Sequence, residues 1–194
     1  TGGPISCMKA CLPEIAALNS GSLNYLRTTS KNKWAWDPIM FENSVEKIQI
    51  MIDAMKSLNI TPECECFDTG IVRSIGLFEQ VGIMNQPIHI SFVMGVESGM
   101  PANPDLLPIL KNELTKDTHW QTIAIGKHDE VWPLLRRTCE LGGNVRTGLE
   151  DTFYLPNGKR ATSSGQLVEH LVKILRESGR EPATACETRK AFNH

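Results

Sequence analysis

Short apolar runs alternate along the chain with longer segments whose apolar residues recur at helical spacing. The apolar runs predict five strands, over 15–19, 62–67, 88–96, 120–125 and 144–149. The helically spaced segments predict helices over 42–58, about 69–80, from 103, 130–141 and 163–178. Repeated strand–helix units favour a parallel sheet covered by helices. The opening Thr1-Gly2-Gly3-Pro4 has the composition of a loop.

The pattern fits two kinds of parallel sheet, a doubly wound sheet and a TIM barrel. No G-x-G-x-x-G follows a predicted strand, which weakens a dinucleotide-binding fold. Polar residues recur at the ends of several strands, where a TIM barrel forms its active site. We therefore predict an α/β fold, a TIM (β/α)8 barrel with only about the last five β/α units in this chain. Residues 1–194 would be the C-terminal portion of a single TIM-barrel domain, since a whole barrel has eight strands.

Composition adds limits on location and partners. The 194 residues are 41% hydrophobic and carry a formal net charge of -2, so no basic excess indicates nucleic-acid binding. No apolar run reaches the roughly 18 residues that span a bilayer, and no secretory signal opens the chain. Cys64 and Cys66 alternate within a predicted strand and are expected to be buried, reduced thiols rather than zinc ligands. A cytoplasmic protein is expected, with no nucleic-acid or membrane partner.

The strongest candidate chemistry lies in the run from Arg146 to Asp151, at the end of the last predicted strand. Strand alternation would place Arg146, Gly148 and Glu150 on one face and Asp151 on the other until the chain turns. A nearby arginine keeps carboxylates ionised at neutral pH. One carboxylate could bind a metal and the other could act as a base. A structural ion pair is an equally good interpretation of the spacing.

Other polar residues in the strands are more ambiguous. Glu63 and Glu65 alternate in a strand with apolar neighbours, where unpaired charge is costly. Function and solvation are both open for Glu65, whereas Glu63 is expected to be solvated and Asp68 to cap the next helix. His89 and His119 fall near strand starts, the end of a barrel that serves stability, and are expected to be structural.

Two loops at strand ends have small residues that would leave room for a ligand, although simple turns explain them too. They cover 20–24 and 95–101. The histidines form no H-x-H or H-x-x-x-H pair, so the chain offers no obvious imidazole pair for zinc. They are His89, His119, His128, His170 and His194.

Several motifs in a fixed order resemble the β-keto acid cleavage enzymes. They are TGG (1–3), ALNSGSLN (17–24), PECECFDTG (62–70), FVMGV (92–96), GMPA (99–102), VRTGLED (145–151) and YLP (154–156). The resemblance covers essentially the whole chain. It implies a TIM barrel with a divalent metal, usually zinc, held by two histidines and a glutamate. It also implies reaction of a β-keto acid, such as the 3-keto-5-aminohexanoate of lysine fermentation, with acetyl-CoA to give acetoacetate and a new acyl-CoA.

The resemblance also implies roles for individual residues. Glu150 would be the metal ligand, and Arg146 and Asp151 would activate the substrate. Glu65 would contact the far end of the substrate. The substrate-binding set implied by the family is Gly2, Gly3, Ser20, Gly21 and Glu65.

The family's histidine pair does not occur in this chain, and we expect it upstream of Thr1. Thr1 in place of an initial Met agrees with that expectation. Two alternatives remain: a metal-dependent aldolase or lyase acting on a CoA ester, and an inactive truncated barrel that serves only as a structural or binding fragment. For the enzyme, the expected partners are the keto acid and acetyl-CoA, with a homo-oligomer formed at full length.

Overall fold

A computed structural model describes residues 2–192, which form a helix-covered parallel sheet and a separate hairpin. The strands are β1 (Ile15–Asn19), β2 (Leu23–Tyr25), β3 (Ile39–Phe41), β4 (Thr61–Cys66), β5 (His89–Met94), β6 (His119–Ala124) and β7 (Asn144–Arg146). The helices are α1 (Gly2–Cys11), α2 (Val45–Ser57), α3 (Thr69–Gln80), α4 (Leu107–Asn112), α5 (His128–Glu140), α6 (Ser164–Glu177) and α7 (Ala185–Ala191), and a 3-10 turn (Pro104–Leu106) precedes α4.

The main sheet has the order β1-β4-β5-β6-β7, and every neighbouring pair is parallel. All five predicted strands are present in the predicted order, so the parallel α/β architecture is confirmed. β2 and β3 form an antiparallel hairpin outside this sheet, which the sequence pattern did not predict. Within the described residues β1 and β7 each have one unpaired edge, so this sheet is open rather than closed into a barrel.

The two faces of the sheet differ in polarity because successive side chains point to opposite sides. One face lies under the helices and carries buried apolar residues, including Cys64, Cys66, Ile90 and Phe92. Both thiols are free, and burial raises the pKa of Cys64 to about 12. The prediction of buried, reduced cysteines is therefore confirmed. The other face carries polar residues.

An ion pair on the polar face links two strands that are not neighbours. Arg146 Nη1 on β7 lies 3.9 Å from Glu65 Oε1 on β4, although β5 and β6 separate these strands. In a flat sheet three strand spacings would put the two backbones about 14 Å apart. The long side chains of Arg146 and Glu65 bridge that gap over the polar face of the sheet.

Polar side chains cap the starts of several helices, and the predicted cap Asp68 is among them. The Ser44 side chain accepts a hydrogen bond from Lys47 N at the start of α2, and Asp68 accepts one from Ile71 N at the start of α3. Asn103 caps the 3-10 turn before α4. These polar side chains satisfy backbone amides that have no partner within the first turn.

The prediction of an opening loop is wrong for Gly2 to Pro4, because α1 begins at Gly2. Thr1 lies outside the described residues. Proline is tolerated in the first helical turn, where its missing N–H would have had no helical partner, so Pro4 does not prevent the helix. Among residues 2–192, no helix is long and apolar enough to cross a membrane.

Candidate active site

The candidate site lies where the parallel strands end, and its key feature is the turn after β7. The strand stops at Arg146 rather than at Leu149, and Gly148 O accepts hydrogen bonds from Asp151 N and Thr152 N, at 3.0 and 3.1 Å. This turn returns Asp151 to the side of Arg146. Glu150 lies beside Arg146 as predicted, at 2.9 Å, and Asp151 lies beside it too, because the chain turns before Asp151.

Arg146 holds Asp151 in a two-point contact. Its Nε lies 3.2 Å from Asp151 Oδ2, and its Nη2 lies 2.8 Å from Asp151 Oδ1. Nη2 also donates to Glu150 Oε2 at 2.9 Å. The Asp151 side chain is 2% exposed and that of Glu150 is 83% exposed. The Asp151 contact therefore fixes the guanidinium, while the exposed Glu150 pair adds little stability.

Burial changes the acid–base properties of this cluster. It raises the pKa of Asp151 above the usual aspartate value, although the hydrogen bond and charge of Arg146 pull the other way. Burial also raises the pKa of Glu65, and the neighbouring charge of Glu63 adds to that effect. Burial alone would lower the pKa of Arg146. Its carboxylate partners, led by Asp151, outweigh burial, so the pKa is raised. A carboxylate with a raised pKa is a stronger base than a solvated one.

Below Glu65, a hydrogen-bonded layer crosses three strands. Glu63 Oε1 accepts hydrogen bonds from Ser91 Oγ and Gln121 Nε2, both at 2.6 Å, and Gln121 Nε2 lies 2.8 Å from Ser91 Oγ. The prediction that Glu63 is solvated is wrong, since partners on β5 and β6 replace water. Ser91 and Gln121 were missed, although each is a polar residue with apolar neighbours on one or both sides.

The loop after β1 is closely packed. Ser20 is buried and its Oγ donates to Leu18 O at 3.0 Å. A Cβ on Gly21 would clash with the side chain of Ile71 in α3, so this position needs glycine. Gly21 O accepts a hydrogen bond from Asn43 Nδ2 at 3.1 Å. The structure thus gives both small residues a packing role at the carboxyl end of β1.

Gly2 and Gly3 lie in the first turn of α1, and a Cβ on Gly3 would meet no atom within 4 Å. The next residue, Pro4, lines a cavity together with Asn19 at the end of β1. This places the start of α1 near the carboxyl end of β1, on the side of the sheet where the candidate site lies.

The histidines lie apart from this cluster. His89 and His119 begin neighbouring strands at the opposite end of the sheet, and both rings contact the ring of Phe192, with centroids 4.9 and 4.8 Å apart. His89 is buried, which lowers its pKa. His128 and His170 are in α5 and α6, and His194 lies outside the described residues.

The described residues do not by themselves fit a metal site. Across residues 2–192, no group of three His, Cys, Asp or Glu side chains is placed to hold an ion. Glu150 is exposed and its Oε2 is already bonded to Arg146. Catalytic zinc normally has three protein ligands. This cluster offers one exposed carboxylate, that of Glu150.

Comparison with known proteins identifies the family. A family model described as beta-keto acid cleavage enzyme matches residues 3–193. The chain belongs to the β-keto acid cleavage enzyme family. It is 32% identical over 178 residues to the 3-keto-5-aminohexanoate cleavage enzyme of Acetoanaerobium sticklandii, a match that covers 92% of this chain and 61% of that relative.

A second curated member of the family has a different name. The 3-oxoadipate:acetyl-CoA acetyltransferase of Cupriavidus necator is 30% identical over 185 residues, which cover 94% of this chain and 61% of that protein. The chain thus spans about three fifths of the length of these relatives. Among solved structures, apo ObcA matches with a TM-score of 0.73 and 16% identity, over 93% of this chain and 44% of that one. This likeness supports the fold.

Proposed function

We propose that this chain is part of an enzyme that cleaves a β-keto acid with acetyl-CoA. In this reaction the bond between the keto carbon and the carboxymethyl carbon breaks, and the carboxymethyl group joins the acetyl group. The products are acetoacetate and a CoA thioester of the remaining acyl group. Membership of the family and the acetyl-CoA in the name of the Cupriavidus relative support this proposal.

The observation that carries the proposal is the buried Arg146–Asp151 pair at the end of β7. We assign Asp151 as the base that removes a proton from the substrate. Arg146 orients this carboxylate through its two-point contact. Because burial raises the pKa of Asp151, its ionised form is a better base than an ordinary aspartate.

Glu65 is the proposed contact for the far end of the substrate. It lies on the polar face, 3.9 Å from Arg146 at its nearest atom, so a ligand beside the arginine would also approach Glu65. An ionised carboxylate at this position favours a cationic or hydrogen-donating tail. Gly2, Gly3, Ser20 and Gly21 are proposed to shape the same end of the site from β1 and α1.

The domain is proposed to be the C-terminal portion of a TIM barrel, with residues 1–194 supplying five of its β/α units. Three observations support this: the all-parallel sheet with strands in chain order, the unpaired edges of β1 and β7, and relatives that are longer than this chain. The partner strands would pair with both edges and cover the polar face, which removes the aggregation hazard of an exposed sheet edge.

Glu150 is the residue we propose as a ligand for a divalent metal, with zinc as the expected ion. Its side chain is exposed at the carboxyl end of the sheet, where an incoming ion could reach it. A tight site would need ligands from outside residues 2–192, since the described residues contribute one.

The test uses the protein encoded by the complete reading frame. A panel of β-keto acids is supplied with and without acetyl-CoA, and the products are identified by mass spectrometry. Asp151→Asn should lower kcat by at least about 100-fold, the usual contribution of a positioned base, and should leave the fold intact. Asp129→Asn, an exposed aspartate in α5, is the matched control and should be fully active.

Each alternative outcome has its own meaning. Cleavage that does not need acetyl-CoA would replace the proposal with an aldolase or lyase. Full activity of Asp151→Asn would refute its assignment as the base. Absence of any cleavage across the panel would favour a binding or structural role.

A further inference from the structure

The connection between β2 and β3 has an unusual concentration of basic and aromatic residues. We call residues 27–36, RTTSKNKWAW, the basic aromatic loop. It contains three cationic side chains and two tryptophans in ten residues and no Asp or Glu, in a chain whose net charge is -2. The cations, Arg27, Lys31 and Lys33, are all exposed. The loop is thus rich in cations and rings, with one carboxylate, Glu97, bonded to it at Thr28 and another, Asp37, directly after it.

The loop lies at the rim of the candidate active site. Thr28 N and Oγ1 donate to Glu97 Oε2 at 2.6 and 3.2 Å, and Leu26 N donates to Ser98 Oγ at 3.2 Å. Glu97 and Ser98 follow β5, whereas the hairpin that carries the loop follows β1. The connection therefore crosses the carboxyl ends of β1, β4 and β5, and Glu65 lies near the end of β4.

Contacts within the loop fix Arg27 and the backbone at the loop's tip. The rings of Tyr25 and Trp36 stack with centroids 5.9 Å apart and planes 9° apart, and the Arg27 guanidinium lies 5.7 Å from the centre of the Trp36 ring. At the tip, Thr29 N donates to Lys33 O at 2.8 Å. Trp34 follows immediately and is 54% exposed.

We propose that the basic aromatic loop binds the nucleotide end of CoA. This inference rests on the proposed function, which requires acetyl-CoA as co-substrate. Trp34 would stack on the adenine, while Arg27, Lys31 and Lys33 would contact the pyrophosphate and 3′-phosphate. The charges are complementary, and exposed aromatic rings beside basic side chains are the arrangement that proteins use for stacked bases with their phosphates. The pantetheine arm would then extend over the strand ends toward Arg146.

The direct test measures binding of adenosine 3′,5′-bisphosphate by calorimetry, without any turnover. Trp34→Ala should raise the Kd about tenfold, within the range for loss of one base–aromatic stack. The double variant Lys31→Gln/Lys33→Gln should also raise the Kd about tenfold and should weaken its dependence on salt. All three residues are exposed, so the fold should survive, as urea unfolding would verify.

Matched controls lie on distant surfaces. Leu77→Ala removes another exposed apolar side chain, in α3, and Lys9→Gln/Lys190→Gln removes two exposed lysines from α1 and α7. Neither control should change the Kd. An equal loss in the controls and the loop variants would overturn the assignment of the nucleotide to this loop.

The outcomes separate this inference from the proposed function. If acetyl-CoA-dependent cleavage occurs but the loop variants keep the wild-type KM for acetyl-CoA, the loop assignment fails and the function stands. If the nucleotide binds in a loop-dependent way but no keto acid is cleaved, the assignment stands and the function fails. A dimer that Trp34→Ala disperses, in a protein without nucleotide affinity, would overturn the inference and assign the surface to a second copy.

Discussion

Replacing Arg146 by methionine tests the buried ion pair most directly. Methionine keeps the aliphatic bulk but removes both hydrogen bonds to Asp151 and the positive charge beside it. Breaking a buried pair typically costs 3–5 kcal/mol, because one charge stays behind without a partner. We expect about 3 kcal/mol at neutral pH, the lower end of that range. Arg146 is itself 32% exposed, and Asp151 can bind a proton in place of the arginine.

The sign of the pH dependence follows from the pKa of Asp151. That pKa is already raised in the folded protein, so the folded state binds this proton more tightly than the unfolded chain does. The resulting stabilisation is present below the unfolded pKa and is lost as pH rises through the folded pKa. Without Arg146 the folded pKa rises further. The stability loss in Arg146→Met should therefore be small near the usual aspartate pKa of about 4. It should become larger as the pH rises above that value.

Urea unfolding of the wild type and Arg146→Met, at about pH 4 and about pH 7.5, measures both effects. Arg137→Met is the matched control, because Arg137 pairs with Glu140 at 3.0 Å on the surface. Breaking an exposed pair should cost less than about 1 kcal/mol. If the two variants lose the same stability, or if the loss in Arg146→Met is equally large at acid pH, Asp151 is not a buried carboxylate that depends on Arg146.

Three further predictions concern substrate, metal and backbone. In steady-state assays of the complete enzyme, Glu65→Gln should raise the KM for an aminated β-keto acid more than for an unsubstituted one; equal changes would show that Glu65 does not contact the tail. Zinc analysis by atomic emission should find less than one ion per chain on residues 1–194, because the described residues offer no three-ligand group. In the complete protein, Glu150→Ala should lose zinc, whereas Glu113→Ala, which changes an exposed glutamate, should retain it. Gly95→Ala should cost at least about 2 kcal/mol on urea unfolding, since φ is 100° and a Cβ would clash with Ile125 O; Gly3→Ala, in open space, is its control, and similar losses in both would contradict the steric argument.

Local pattern was enough to predict the five parallel strands, the Asp68 cap and the buried thiols. Asp68 shows why: a short polar side chain before an apolar helical segment has its hydrogen-bonding partner three residues away, inside the same window of sequence. The alternation of Cys64 and Cys66 likewise follows from the two-residue repeat of a strand. The ordered motifs identified the family, which the family model then confirmed.

Other features depended on partners that are distant in the sequence. Glu63 is hydrogen bonded and not solvated because register places Ser91 and Gln121, 28 and 58 residues away, beside it. The composition of the basic aromatic loop is visible in the sequence. Its place at the rim of the site depends on its hydrogen bonds to Glu97 and Ser98.

The cluster of Arg146, Glu150 and Asp151 shows most clearly which features the sequence determined and which depended on folding. The sequence by itself determined that an arginine and two carboxylates follow the last strand, and the family motif indicated their chemistry. It did not determine which carboxylate is buried, because that depends on where β7 ends and on the turn closed by Gly148 O. Only the tertiary structure places Asp151 beneath the guanidinium, leaves Glu150 exposed and brings Glu65 across from β4. Burial and cross-strand distance are properties of the packed chain, and they set the pKa and the partners of each carboxylate.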